Sequence, residues 1–335
     1  MVTIAEVARR AGVSPSTVSY VLSGKRAISS ETTERVRRSI RELGYHPNAG
    51  ARALAGSRSH VIALMMPLRT DMYLPVMMEI AIAVTTTART HGYDVLLLTG
   101  DEGASAVRRI SASASADAMI LMDVELEDER LPLLDQNTPP AVLIGQPADP
   151  AGLTCVDLDF AAAGSACVTH LAELGHREIA LIGESPAVYE RHTGFAERTL
   201  DGARAAAREL GVRMLHRPTE STYDAVAAQL ARIFDERPGT TGLVVQNEGV
   251  IEPLLSLLRQ QGRAVPEDVS LVAVCPDQVA AQASVRLTSV ALPAQELGRR
   301  AVERVVDQLE SREHQKLDLL EPVLTRRASS GPAPV

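Results

Sequence analysis

The chain has 335 residues, a net charge of -8 and a 45% hydrophobic composition, with three cysteines, three phenylalanines and no tryptophan. No apolar run reaches the ~20 residues a bilayer span needs, and the start MVTIAEVARR lacks the basic stretch and apolar core of a secretory leader, so no membrane partner and a cytoplasmic location are expected. Cys155, Cys167 and Cys275 sit in apolar contexts without CxxC spacing, which points to buried free thiols and away from a disulfide framework or metal ligands.

The charge is unevenly placed. The first sixty residues hold ten Lys or Arg against four acids, a net of +6, which leaves -14 for the remainder. Such a basic head on an acidic body fits a head that meets a polyanion; a solvated, Arg-rich helical surface is the plainer alternative. Thr3-Ile4-Ala5-Glu6 has the form of a capping box, and Ile4, Val7, Ala8 and Ala11 share one face of the helix that follows. Gly12 ends it, Ser14 caps a second helix and Pro15 takes the first helical position, where its missing N–H costs nothing. Val18, Val21 and Leu22 are the expected buried side of this second helix, leaving Ser16, Thr17, Ser19 and Tyr20 outward. A third helix, capped by Ser29, is expected over Ser30 to Leu43 with Val36, Ile40 and Leu43 inward and Gly44 as its stop. Two short helices around a Gly-containing turn with a third as support form a helix-turn-helix, although any three-helix bundle gives a similar pattern. After Tyr45-His46-Pro47-Asn48 the segment AGARALAGSRS reads as a weak helix. Alone it would be marginal, so it is either a linker or an element that orders against DNA with Leu54 as a minor-groove wedge.

These residues resemble the DNA-binding head and hinge of the lactose-repressor (LacI/GalR) family of bacterial transcription regulators, through AGVS-x-x-TVS, VL-x-G, LGYHPN and a hinge ending in Leu-Ala-Gly. The resemblance implies that the second helix reads the major groove and that paired hinge helices of a dimer enter the minor groove. It makes Leu54 the wedge, Thr3, Ser14, Thr17 and Ser19 phosphate contacts, Pro15, Ser16 and Tyr20 base-reading positions, and Asn48 a further DNA-binding residue. Many members carry arginine where Tyr20 stands.

From His60 onward strands alternate with helices. VIALMMP, YDVLLLTG, DAMILMD, AVLIGQP, IALIGES, TGLVVQN and VSLVAVC read as fully buried strands, and 75–91, 161–174, 200–210 and 250–261 as helices, giving a mostly parallel α/β sheet. Ligands are then expected beyond the carboxyl ends of the strands. VDLDFAAAG…HLAELGHREIALIG, GLVVQNEG, VPEDVSLVAV and LTSVALPAQELGRRAVE are similar to the same family's effector core. That implies a type I periplasmic-binding-protein-like fold of two Rossmann-like subdomains. The expected division is 1–46 for the helix-turn-helix head, 47–58 for the hinge and 59–326 for the core, with 327–335 a disordered tail. Within the core the N-subdomain takes about 59–159 and 291–319, and the C-subdomain about 160–290 and 320–326. The resemblance carries over Arg191, Thr193, Arg198 and Asn247 as effector contacts, while Cys275 falls where many sugar-sensing members place an acid. With few aromatic platforms for a pyranose, the effector is open between a sugar and another metabolite.

No enzymatic constellation emerges. His170 and His176 are separated by Gly175, GESPA lacks the last glycine of a nucleophile elbow, and DVELEDER at 123–130 reads as a solvated surface segment. The expectation is a non-enzymatic, cofactor-free homodimeric regulator, most simply a repressor, associated with the nucleoid through a palindromic double-stranded operator. Its competitor is a solute-binding or sensor protein built on the same core.

Overall fold

The protein is described by a computed structural model over residues 2–23, 26–45, 58–69 and 72–334. Asn48 and Leu54 lie outside the described residues. Three helices open the chain: α1 (Ile4–Ala11), α2 (Pro15–Ser23) and α3 (Ser30–Leu43). The Thr3 hydroxyl accepts from Glu6 N at 3.3 Å while the Glu6 carboxylate accepts from Thr3 N at 2.7 Å, which completes the capping box. Gly12 (φ 65°) and Gly44 (φ 60°) end α1 and α3 in the left-handed region that glycine enters freely. Val7, Ala8, Ala11, Val18, Val36 and Tyr45 form the buried centre, with Ile4, Val21, Ile40 and Leu43 packed on it. Leu22 departs from expectation at 42% exposure, because this small core is already filled by Val18 and Val21 and does not reach the last turn of α2.

The rest of the chain builds two sheets. The first contains β1 (Val61–Met65), β2 (Asp94–Leu98), β3 (Ala118–Leu121), β4 (Ala141–Ile144), β5 (Thr154–Leu158) and β11 (Leu317–Leu320), in the order β11-β5-β4-β3-β1-β2 and parallel throughout. The second contains β6 (Glu178–Gly183), β7 (Arg213–Pro218), β8 (Gly242–Val245), β9 (Ser270–Cys275), β10 (Thr288–Ala291) and β12 (Leu324–Thr325), ordered β12-β10-β9-β8-β6-β7, with only the β10–β12 pair antiparallel. The chain passes between the sheets three times, after β5, β10 and β11. All seven expected runs contain a strand, but β2 is not fully buried: it is an edge strand with Leu96 and Leu97 37% and 41% exposed.

Helices cover both faces of each sheet. Helices α4 (Leu74–Thr90) and α12 (Ala294–Leu309) pack against one face of the first sheet, and α5 (Gly103–Ser113) against the other. On the second sheet, α6 (Phe160–Glu173) and α8 (Gly194–Glu209) cover one face, and α9 (Tyr223–Glu236) and α10 (Ile251–Gln260) the other. Two short helices, α7 (Pro186–Glu190) and α11 (Asp277–Gln282), follow β6 and β9. A Cβ on Gly202 would run into Ala161 O and one on Gly164 into Thr199 O, so these two glycines let α6 and α8 approach closely.

The expected disordered tail is instead docked. Ser329 is fully buried, its hydroxyl accepting from Thr288 N at 2.8 Å and donating to Leu271 O at 2.6 Å. Beyond it, Ser330 Oγ meets His170 Nε2 at 2.9 Å, and Gly331 O meets His176 Nε2 at 3.1 Å. The backbone of Ala333 then donates to Leu174 O at 2.8 Å. Small residues in RRASSGPAPV suit this role: they let the backbone lie flat against β9, β10 and the end of α6. Composition read them as unstructured because short polar residues are as common in bound strands as in free tails.

Candidate functional site

The head presents its hydroxyls as a group at the start of α2. Ser14 Oγ accepts from Thr17 N at 3.1 Å and lies 2.8 Å from Ser16 Oγ and 2.9 Å from Thr17 Oγ1. Ser14, Pro15, Ser16 and Tyr20 are exposed, and Thr17 and Ser19 half-buried. The Tyr20 ring stands outward with the Arg26 guanidinium 6.0 Å from its centroid. Thr3, by contrast, is committed to its capping box with Glu6, although it remains exposed. The head also exposes arginines on α1 and α3, among them Arg9, Arg37, Arg38 and Arg41.

In the core, a cavity of about 130 Å³ lies between the two sheets. Residues that follow β3 and β4 (Met122, Asp123 and Gly145) and the N-terminal half of α4 line it from the first sheet; Phe160 at the start of α6 and residues that follow β6 and β8 (Glu184, Arg191, Phe195, Gln246 and Glu248) line it from the second. This is the carboxyl end of both sheets, where parallel α/β folds bind ligands. Most of the wall is apolar, and two of the chain's three phenylalanines, Phe160 and Phe195, meet there with ring centroids 5.6 Å apart.

One edge of the cavity is closed by backbone. Gly194 N donates to Val124 O at 2.9 Å and Leu126 N to His192 O at 2.9 Å, and Glu125 and Thr193 form an antiparallel bridge, joining the loop after β3 to the start of α8. A Cβ on Gly194 would stand 2.6 Å from Gln146 O, so only glycine permits this approach. Asp123 and His192, on the two sides of the closure, both hold left-handed backbone at φ 52°, a strained state for residues other than glycine.

Among the five expected effector residues, only Arg191 lines the cavity. Arg198 instead donates to Pro147 O at 2.8 Å and Gln146 O at 3.4 Å, and so ties α8 to the loop after β4. Asn247 spends its side chain on a turn: Oδ1 accepts from Gly249 N at 3.0 Å and Ser221 Oγ at 2.9 Å, and Nδ2 donates to Thr219 O at 2.9 Å. Thr193 is fully buried at the start of α8, and Cys275 is fully buried at the end of β9, its thiol pushed up by burial and by Glu248. Asp277, two residues beyond Cys275, is paired with Arg327 of the docked tail.

Sequence reasoning missed two groups. DVELEDER is solvated only in part: Glu127 and Glu129 are exposed, but Asp123 pairs with Arg69, and Arg130 grips Asp128 through Nε at 2.8 Å and Nη2 at 2.6 Å, both of these partners buried. Burial raises the Asp128 carboxyl, but the Arg130 hydrogen bonds and charge outweigh it and hold the group below its ordinary value. Asp123 goes the other way, raised by burial against the pull of Arg69, Arg191 and Arg130. The second group is Asp157, inside the β5 strand and 3% exposed, which reads in sequence as one polar letter in an apolar run. Burial pushes it up to about 8, and its Oδ2 has no hydrogen-bond partner among the described residues.

Two comparisons bear on identity. Residues 3–48 match the family described as bacterial regulatory proteins, lacI family, and residues 168–330 match the periplasmic binding protein-like domain. The HTH-type transcriptional regulator CelR of Thermobifida fusca is 31% identical over 316 residues, covering 92% of each chain. The chain belongs to the LacI family of transcriptional regulators. Another LacI-family relative, the HTH-type transcriptional repressor PurR of Vibrio atlanticus, is 28% identical over 324 residues and 94% of each chain. Among solved structures, a transcriptional regulator CelR–cellobiose complex is 28% identical with a TM-score of 0.69, covering 98% of this chain and 100% of that one. The lac repressor dimer bound to operator and the anti-inducer ONPF aligns over 98% of this chain and 99% of its own with a TM-score of 0.83 at 23% identity, a likeness of fold. These relatives are regulators of transcription, and the LacI-family chain described here is likewise not an enzyme. Among the described residues no helix is long and apolar enough to cross a membrane.

Proposed function

We propose that the protein is a homodimeric, cytoplasmic repressor that binds a palindromic operator and is controlled by a small molecule in the cavity between its two sheets. The observation that carries this reading is the joining, in one chain, of an outward hydroxyl-bearing helix on a basic head to a cavity at the carboxyl ends of two facing sheets. Ser14, Ser16, Thr17 and Ser19 are small enough to let the backbone near DNA, with oxygens for phosphates, and Tyr20 is the largest group available to base edges. Dimerisation is supported by an exposed apolar face on the first sheet. Leu74, Met78 and Ile82 of α4 are 47%, 43% and 59% exposed at i, i+4, i+8 spacing, and Leu96 and Leu97 lie on the edge strand β2. Leu97 points to the same side of the sheet as Val95, which packs against α4, so an apolar face formed with Leu74, Met78 and Ile82 marks an interaction surface. Two copies joined there would present two heads to the half-sites of an inverted repeat.

Ligand control requires that the effector bind two arrangements of the sheets unequally. The Gly194–Val124 and Arg198–Pro147 bonds are the contacts that differ if the cavity opens or closes. The CelR structure is a complex with cellobiose; for this chain the effector class is a sugar or another metabolite. A gel shift on palindromic fragments from the protein's own promoter region tests the operator reading. Binding that saturates with a two-half-site requirement supports it, and equal affinity for random DNA refutes it.

A further inference from the structure

The cavity's chemistry narrows the ligand. Four carboxylates line it, Asp123, Asp157, Glu184 and Glu248, against the single guanidinium of Arg191. Glu184 and Arg191 already have partners within the protein, and Asp123 is held by Arg69. Gln246, a neutral hydrogen-bonding side chain on the wall, is also engaged: Oε1 accepts from Tyr189 OH at 3.3 Å and Nε2 donates to Thr199 Oγ1 at 3.0 Å. Asn247 is consumed by its turn. An anion would find only the guanidinium of Arg191, already engaged, among four carboxyl groups. Glu248 stands on the same lining with its carboxyl raised by burial, and Asp157 carries the unpartnered buried oxygen. Asp157 lines the cavity; its Oδ1 accepts from Leu158 N at 2.9 Å, whereas Oδ2 is buried with no hydrogen-bond partner among the described residues. A buried carboxyl oxygen without a donor is costly unless something supplies one.

We propose that the cavity binds a small organic cation, a protonated primary amine on an apolar or aromatic body, with the ammonium donating to Asp157 Oδ2 and the body packed against Phe160, Phe195 and the neighbouring methionines. The proposal rests on the effector reading above and specifies its ligand. Aromatic faces attract cations, so Phe160, Phe195 and Tyr73 add to the pairing rather than compete with it. The charged groups that act on Asp157 are Arg198, which lowers it, and Asp159, which raises it, with burial dominant. Held up to about 8, Asp157 is mostly protonated at pH 7 in the empty cavity. Binding then exchanges one proton for the pair: the carboxylic acid loses H⁺ to the buffer and the ammonium takes its place beside the carboxylate. Affinity for the amine rises with pH up to about 8 and falls again where the amine itself loses its proton, at about pH 10.

Calorimetry on the full chain with benzylamine, 2-phenylethylamine and cyclohexylmethylamine, against 2-phenylethanol and 3-phenylpropionate, tests this. At least one amine is expected to bind, with the alcohol and the acid weaker by about tenfold or more. The binding heat is expected to differ between phosphate and Tris buffers in the sense of proton release, and Asp157→Asn should lose about tenfold in amine affinity. Equal affinity for the alcohol, no proton release, or unchanged binding in a folded Asp157→Asn overturns the proposal; the first two need only the unaltered chain. If cellobiose binds and no amine does, cation recognition falls while the effector cleft stands. If an amine binds through Asp157 but leaves operator affinity unchanged, cation recognition stands and the effector reading falls.

Discussion

Individual side chains decide what this chain does with charge. Arg130 and Asp128 form a buried pair, and removing one partner leaves the other as an uncompensated buried group. Arg130→Ala is expected to cost about 3 kcal/mol of stability, read as a lower urea midpoint. Because the Asp128 carboxyl is held below its unfolded value, its contribution is present above that value, near pH 4, and disappears as pH falls through the folded one. Tyr20 is the residue-scale test of DNA reading. Under the operator reading, Tyr20→Ala lowers specific affinity by about tenfold with random-DNA affinity held, since base contacts carry selectivity and arginines carry the salt-dependent term. A parallel loss on both DNAs in gel shifts would assign Tyr20 to the fold of the head instead.

Elements are held by close approaches that single residues permit. The α6–α8 contact depends on Gly164 and Gly202, so Gly202→Ala is expected to destabilise the second half by about 1–3 kcal/mol, lowering its melting temperature. The docked tail gives a second prediction. His170 and His176, which hold Ser330 and Gly331, and His216 are all depressed by burial, His216 to about 4. The unfolded chain therefore takes up protons near pH 6.5 that the folded chain refuses, so stability falls as pH drops from about 7 to 5. Thermal melts across that window should show the loss, and it should shrink in a variant ending at residue 326. A flat profile would mean the histidines are accessible. At this scale the sequence was legible where periodicity was strong. The head's caps, Thr3, Gly12, Ser29 and Gly44, fall where they were expected, because a cap is a local hydrogen-bond requirement. Strands β5, β7, β10, β11 and β12 were not read from periodicity. They are short, and some carry polar or exposed residues, so their strand character comes from pairing partners distant in sequence.

The whole molecule divides by charge and by exposure. A head of net +6 and a body of -14 leave DNA attraction to the head and keep the body from adding nonspecific contacts. The apolar face of α4 and β2 belongs to this scale, since nothing among the described residues covers Ile82. Ile82→Asp is expected to shift the protein from dimer to monomer in light scattering and to weaken operator binding; an unchanged mass would place the interface elsewhere. What the sequence determined by itself was local: the helix caps, the apolar runs that become central strands, the free thiols and the family motifs, each set by residues a few positions apart. The tertiary structure alone decided which polar groups meet. It turned Arg198 into a tie between the two halves, drew the tail onto β9 and β10, buried the Asp123 and Asp128 side chains beside arginines, and left Asp157 Oδ2 buried without a partner among the described residues. Hydrogen bonding and desolvation depend on neighbours far apart in the chain, and no spacing rule encodes them.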